Sequence, residues 1–203
     1  PYAERPAFDM VVQAMGGVMS LTGWPGGPPT RVGTSIGDIT AGLFGAIGVL
    51  AALQERQSTG LGRHVDVAML DSQVAILENA IARYAATGVV PGPLGARHPS
   101  IAPFAAFRAR DRYLVIAAGH DEMFRRLCAV LGAGELLDDP RFCGVQERAR
   151  NADALTPELE KRLAARDAAD WLERLAAAGV PCGPIHDIAG VLADPQVRAR
   201  NMI

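Results

Sequence analysis

Apolar positions recur along this chain at two periods, and the switch between them outlines its organisation. Over 7–18 (AFDMVVQAMGGV) they fall three and four residues apart, which predicts a helix that stops at Gly16 and Gly17. Residues 23–33 (GWPGGPPTRVG) are dense in glycine and proline and predict a loop. The run 39–56 follows, with Ser35 or Asp38 placed to cap it. It is apolar on nearly every face, which predicts a long helix buried on most sides. Gly42, Gly45 and Gly48 are poor helix formers, so their presence predicts close approach of a neighbour. After a turn at 58–62, the alternation of 63–69 (RHVDVAM) predicts a strand. Residues 70–87 then predict a second long helix, ended by Gly88.

Pro91, Gly92, Pro93, Gly95 and Pro99 break the pattern and mark a linker. Beyond it, 104–108 and 113–117 predict a β-hairpin turning at Arg110, Asp111 and Arg112. Three amphipathic helices are predicted over 121–131, 151–165 and 168–178, the second carrying Glu158 and Arg162 as a supporting pair. Residues 179–184 predict a loop or short edge strand, and 187–201 a helix interrupted near Pro195. The second half is therefore a small α+β unit.

Composition narrows the function classes. The chain has 203 residues, 49% of them hydrophobic, with 20 Lys+Arg against 22 Asp+Glu. That excludes a disordered tail and argues against a nucleic-acid partner. Lys161 is the single lysine, a bias attributable to genome base composition. Cys128, Cys143 and Cys182 have no pairable spacing, which suits a reducing, cytoplasmic location. The apolar run 41–53 is broken by glycines and is too short to span a bilayer, so no membrane partner is expected. The chain opens on Pro1 in a polar run without a signal pattern, which reads as a cut end within a longer protein.

The sequence carries no GxSxG, HExxH, CxxC or Walker motif, and His64, His98, His120 and His186 are too scattered to suggest a metal site. Any catalysis therefore points to a carboxylate. Asp38 stands between a glycine-rich loop and an apolar helix, where free N–H groups and the helix dipole favour its charged form. Position alone favours an ordinary N-cap. Asp9 lies in an otherwise apolar helix, with Gln13 one turn on, sharing its face, and a first-turn structural role stays open for it. Asp66 and Asp71 flank the end of the predicted strand, and Asp71 reads as a helix cap.

Several segments together form a signature: RPAFDMVVQAMGGVMSLTG, GPPTRVGTSIGDITAG, LAALQERQSTGLGRHVDVAMLDS, HPSIAPF and GVPCGPIHDIAGVLADPQVRAR. In that order they resemble the class III CoA transferases, a superfamily shared with α-methylacyl-CoA racemase. The resemblance implies an α/β fold: 1–88 as the C-terminal part of a Rossmann-like CoA-binding domain, 89–103 a linker, 104–190 a small α+β domain, and 191–203 the start of a return linker. It also implies an interlocked homodimer, acyl-CoA and carboxylic acid substrates, CoA as a substrate and no permanently bound cofactor.

The resemblance places Asp38 where the family has its catalytic aspartate, which attacks an acyl-CoA thioester to give a mixed anhydride. An aspartate is already ionised at neutral pH and needs no partner base, so the chemistry of the residue agrees. Phe8, Asp9, Gln13, Gly37 and His98 are the implied substrate and CoA contacts. The racemases carry a proton-transferring His where this chain has Phe8, and phenylalanine cannot accept a proton. Formyl-CoA transferases carry a glycine run after the linker. Here Gly95 and the residues to Ser100 lead straight into the strands, which points away from formyl or oxalate and leaves succinate or larger acids open. Two alternatives to transfer remain, a 2-methylacyl-CoA racemase and an inactive interaction module. Trp24 as a substrate contact, and His98 with Ser100 as an acceptor pocket, stand beside plain loop and turn roles.

Overall fold

The structure is a computed structural model describing Tyr2 and residues 4–203. It divides into two compact units, Pro1–Gly95 and Ala96–Ile203.

In the first unit, α1 (Asp9–Met15) and α2 (Val18–Leu21) are separated by Gly17 in the left-handed region, at φ 87°. A loop through the Gly/Pro-rich stretch leads to α3 (Ile36–Thr59), ended by Gly60 in the left-handed conformation. Then come α4 (Met69–Ala75) and α5 (Glu78–Thr87), the latter stopped by Gly88. Helices α1, α3 and α4 pack against one another.

Five expectations for this unit are corrected. α3 is not buried on most sides: Leu43, Ile47, Val49, Leu50 and Leu53 are all exposed. A helix apolar all round needs cover on all sides, and within this chain α1 and α4 supply it only near its first turns. The chain spans about half the length of the curated relatives it matches. Residues 63–68 form no strand, because a strand satisfies its backbone only beside another and this unit has none among the described residues. The single helix over 70–87 is two, parted at Ile76 and Leu77, where the Leu77 N–H donates to the Val74 carbonyl in a tighter turn. Of the three helix glycines, a Cβ would meet a neighbour only at Gly48, against Val65; Gly42 and Gly45 face open space. Asp71 lies inside the first turn of α4 and is not its cap.

At 24 residues, α3 is long and apolar enough by length and composition to cross a membrane, and it is alone in this among the described residues. The expectation of an apolar run too short to span counted only 41–53.

The second unit is built on a three-stranded antiparallel sheet in the order β1 (Phe104–Arg108), β2 (Tyr113–Ala117), β3 (Cys182–Pro184). The predicted hairpin forms with Phe104 opposite Ala117 and Arg108 opposite Tyr113, and β1 and β3 are the edge strands. Helices α6 (Asp121–Leu131), α7 (Val145–Arg150), α8 (Ala152–Leu163) and α9 (Ala168–Ala177) surround a common core. In it Phe107, Leu114, Ile116, Phe124, Leu127, Leu159 and Leu175 are almost fully excluded from water. Two short helices, α10 (Ile188–Ala193) and α11 (Pro195–Ala199), end the chain, each capped by an aspartate, Asp187 and Asp194.

Two polar devices tie distant parts of this unit. Arg148 is 1% exposed; its guanidinium donates to the carbonyls of Ala102 and Phe142 and to the Asp121 carboxylate, and lies over the Phe124 ring. Asp111, in the hairpin turn, accepts the Ala168 N–H at 2.8 Å, so the cap of α9 comes from 57 residues away. The fold is thus mixed α/β, with a small antiparallel sheet and many helices.

Candidate active site

The first turn of α3 is held by side chains from outside it. Ser35 occupies the N-cap position but makes no side-chain cap bond. The capping carboxylate belongs to Asp9: its Oδ1 accepts the Gly37 N–H at 2.9 Å. The other oxygen, Oδ2, accepts from Gln13 Nε2 at 2.8 Å. Gln13 in turn accepts the Val32 N–H on Oε1 at 2.9 Å. One network therefore joins α1, the glycine-rich loop and α3. It works because Asp9 and Gln13 lie one helical turn apart on one face. Gly37 is needed at the junction, because a Cβ there would sit 3.0 Å from both Asp9 Oδ1 and Val12 Cγ2.

The other side of the same turn is bound from α4. Thr40 Oγ1 donates to the carbonyls of Ile36 and Gly37, and accepts from Gln73 Nε2 at 3.1 Å. Gln73 is fully buried and its Oε1 has no partner among the described residues. A buried acceptor left unpaired costs about 1–3 kcal/mol. Thr40 and Gln73 were not anticipated from the sequence, although Thr40 carries the one hydroxyl between Ile36 and Leu53.

Asp38 follows Gly37 directly and is exposed. Helix geometry leaves the N–H groups of this turn without intrahelical acceptors, and the dipole favours negative charge beside them. Phe8 is the residue before α1, 79% exposed. Four of the implied contacts, Phe8, Asp9, Gln13 and Gly37, thus cluster with Asp38 in one unit. Their surroundings differ: Phe8 and Asp38 face water, whereas Gln13 is 0% exposed, with its amide spent on protein groups. His98 belongs to the second unit. Its ring stacks on Phe104, its Nδ1 accepts the Ser100 N–H and its backbone N–H donates to the Phe104 carbonyl, which are the contacts of a turn residue. Trp24 lies against Gly95, whose N–H donates to the Gly23 carbonyl. Asp66, Asp71, Ser72 and Phe44 line a hollow of about 200 Å³ that does not include Asp38.

Comparison with known proteins gives these residues a setting. The chain is 48% identical to an acetyl-CoA:oxalate CoA-transferase of Acetobacter aceti, covering 100% of this chain and 52% of that protein. It is 37% identical to a succinate–glutarate CoA-transferase of Agrobacterium fabrum, covering 100% and 50%. Among solved structures, a CAIB/BAIF family protein from Brucella suis matches with TM-score 0.84 and 43% identity, over 100% of this chain and 53% of that one. Rv3272 from Mycobacterium tuberculosis matches with TM-score 0.88 and 30% identity, over 99% and 53%. The family model described as CoA-transferase family III matches residues 1–203, and the chain belongs to that family.

Proposed function

We propose that this chain carries the nucleophile of a CoA transferase that moves CoA from an acyl-CoA thioester to a carboxylic acid, and that the nucleophile is Asp38. The observation that carries the reading is an exposed carboxylate in the first turn of a long helix, with a second carboxylate, Asp9, occupying the cap position in its stead.

The chemistry needs no external base. An Asp38 oxygen attacks the thioester carbonyl, the C–S bond breaks, and CoA leaves as a thiolate, giving a mixed anhydride. The thiolate then attacks the aspartyl carbonyl, releasing the donor acid and leaving an aspartyl-CoA thioester. The acceptor carboxylate attacks that thioester and expels the thiolate again. Attack of the thiolate on the acceptor's acyl carbonyl yields the new acyl-CoA and regenerates Asp38. Each step exchanges one nucleophile for one leaving group, without net proton uptake. The Ile36 and Gly37 N–H groups are taken by Thr34 and Asp9, which leaves the Asp38 N–H at the helix start to support the oxyanion of each tetrahedral intermediate.

Phe8 supports transfer over racemisation, because its ring offers CoA an apolar face and cannot carry a proton. A dicarboxylic acceptor is the preferred class. The Acetobacter relative, 48% identical to this chain, is named for oxalate, which keeps oxalate within that class. A second copy of the chain as partner belongs to the same proposal, supported by the uncovered apolar side chains of α3.

The test is intact-mass detection of a covalent adduct on incubation with acetyl-CoA or succinyl-CoA. An adduct present in the parent and absent in Asp38→Asn is the expected result. Solvent deuterium entering the α carbon of a 2-methylacyl-CoA without any acceptor acid would defeat it.

A further inference from the structure

The buried polar side chains of the first unit, Gln13, Thr40, Ser72 and Gln73, lie on the three helices that meet where Asp38 is carried. Three of them join Asp9 in hydrogen bonds to the first turn of α3 or to each other around it. Buried polar groups are tolerated where they are bonded, and an exception such as Gln73 Oε1 calls for a reason. A helix start could be capped far more simply, by Ser35 itself.

We propose that Asp9 and Gln13, backed by Thr40 and Gln73, are positioning residues that fix the Asp38 carboxylate, and are not groups that bind substrate. The inference rests on the reading of Asp38 as nucleophile. The geometry has two arms. Asp9 fixes the Gly37 N–H, and the one Thr40 hydroxyl proton is shared between the Ile36 carbonyl at 2.7 Å and the Gly37 carbonyl at 3.2 Å, so the Ile36–Gly37 peptide is held on both its groups and the Gly37–Asp38 peptide by the longer branch. The Gly37 carbonyl belongs to the peptide that leads into Asp38, so that link sets where the next Cα–Cβ bond points. Gln13 anchors Asp9 and holds Val32 in the loop before the turn, so the carboxylate of Asp9 cannot swing toward solvent. The hydrogen-bonding capacity of Gln13 is thereby consumed by protein, which leaves it no free group for a ligand.

Positioning of this kind acts on the rate of attack and not on substrate affinity, since misplacement of a reacting atom by about 1 Å costs on the order of a hundredfold. The test uses the protein at its natural length. Asp9→Ala is expected to slow adduct formation tenfold to a hundredfold (on the order of one to two decades), with acyl-CoA affinity unchanged. It is also expected to speed amide hydrogen exchange at Gly37. Asp9→Asn keeps an acceptor for Gly37 but sets its amide NH₂ against the Gln13 NH₂. It is expected to fall between the two, and it serves as the readout where Asp9→Ala does not fold. A loss of acyl-CoA affinity parallel to the rate, or an unchanged rate, overturns the proposal. So does unchanged Gly37 exchange in Asp9→Ala, or in Asp9→Asn where Asp9→Ala does not fold. A parent protein that forms no adduct while the exchange effect is present counts against the transferase reading, and leaves the positioning geometry standing on the exchange result.

Discussion

Replacing Arg148 by methionine isolates the contribution of one buried cation to the second unit. Methionine follows the path of the arginine stem and leaves little void, so the change falls on the guanidinium. Three acceptors then lose their donor: the Ala102 and Phe142 carbonyls, in residues 4% and 0% exposed, and the Asp121 carboxylate, whose side chain is 55% exposed. Asp121 turns to water at little cost. Each buried carbonyl left unpaired costs about 1–3 kcal/mol, so the two give roughly 2–6. The contact over the Phe124 ring adds about 1, and relief from desolvating the guanidinium offsets part of the sum. A net loss of about 3–5 kcal/mol follows, in the range found when one partner of a buried pair is removed. For a chain of this size that corresponds to a melting temperature lower by roughly 10 °C. The assay is urea unfolding followed by the fluorescence of Trp171, which is buried in the second unit, with Trp24→Phe as the parent. Arg148→Lys, with one ammonium for three acceptors, falls between. An Arg148→Met midpoint indistinguishable from the parent would refute the reasoning, because residues 102 and 142 would then be held by something else.

Two further outcomes follow from the same unit. The Ala168 N–H, and then Arg112, hold the Asp111 carboxyl below its ordinary 3.8, at about 2. Between those values the unfolded chain binds more protons than the folded one, so this contribution is complete above about pH 4 and is lost as pH falls toward 2. Asp111→Asn should flatten the rise of stability with pH across that window, as measured by chemical unfolding at a series of pH values; an unaltered slope contradicts the assignment. Among the thiols, burial pushes Cys128 up to about 11 and Cys182 also upward, while Cys143 is exposed. A disulfide exchange reagent at pH 8 should therefore titrate Cys143 first and Cys128 only after denaturation, and early labelling of Cys128 would contradict its placement in the core.

The second unit was largely legible in the sequence because its signals are local. The hairpin at 104–117 alternates and turns within itself, and α6 and α9 each pair one apolar stripe with one polar face. What escaped there was short: a 3-10 turn at Gly134–Leu137 and the six-residue α7, too brief to show a period. In the first unit, local signals place the cap of α3 at Ser35 or Asp38, yet it comes from Asp9, 28 positions before the Gly37 N–H it accepts. No local rule looks that far back. Thr40 and Gln73 meet across 33 positions for the same reason. The alternation of 63–69 has the pattern of a strand, but a strand exists only in company, and this unit has no strand among the described residues. The family resemblance singled out Asp9 and Gln13, while only coordinates reveal which way their hydrogen bonds run.

The edge strand β3 has a consequence for the order in which the molecule can be assembled. Its three residues pair with β2 from about seventy positions further along the chain. So short a strand cannot hold that register unaided, and its other strong contact is with α9. The hairpin can close as soon as residue 117 is made, but β2 then presents an open row of amides and carbonyls beside Leu114 and Ile116. That edge remains available to another chain until α9 has docked and Cys182–Pro184 has been laid down. During synthesis the sheet is therefore most vulnerable to self-association over the stretch in which four of its helices are still emerging.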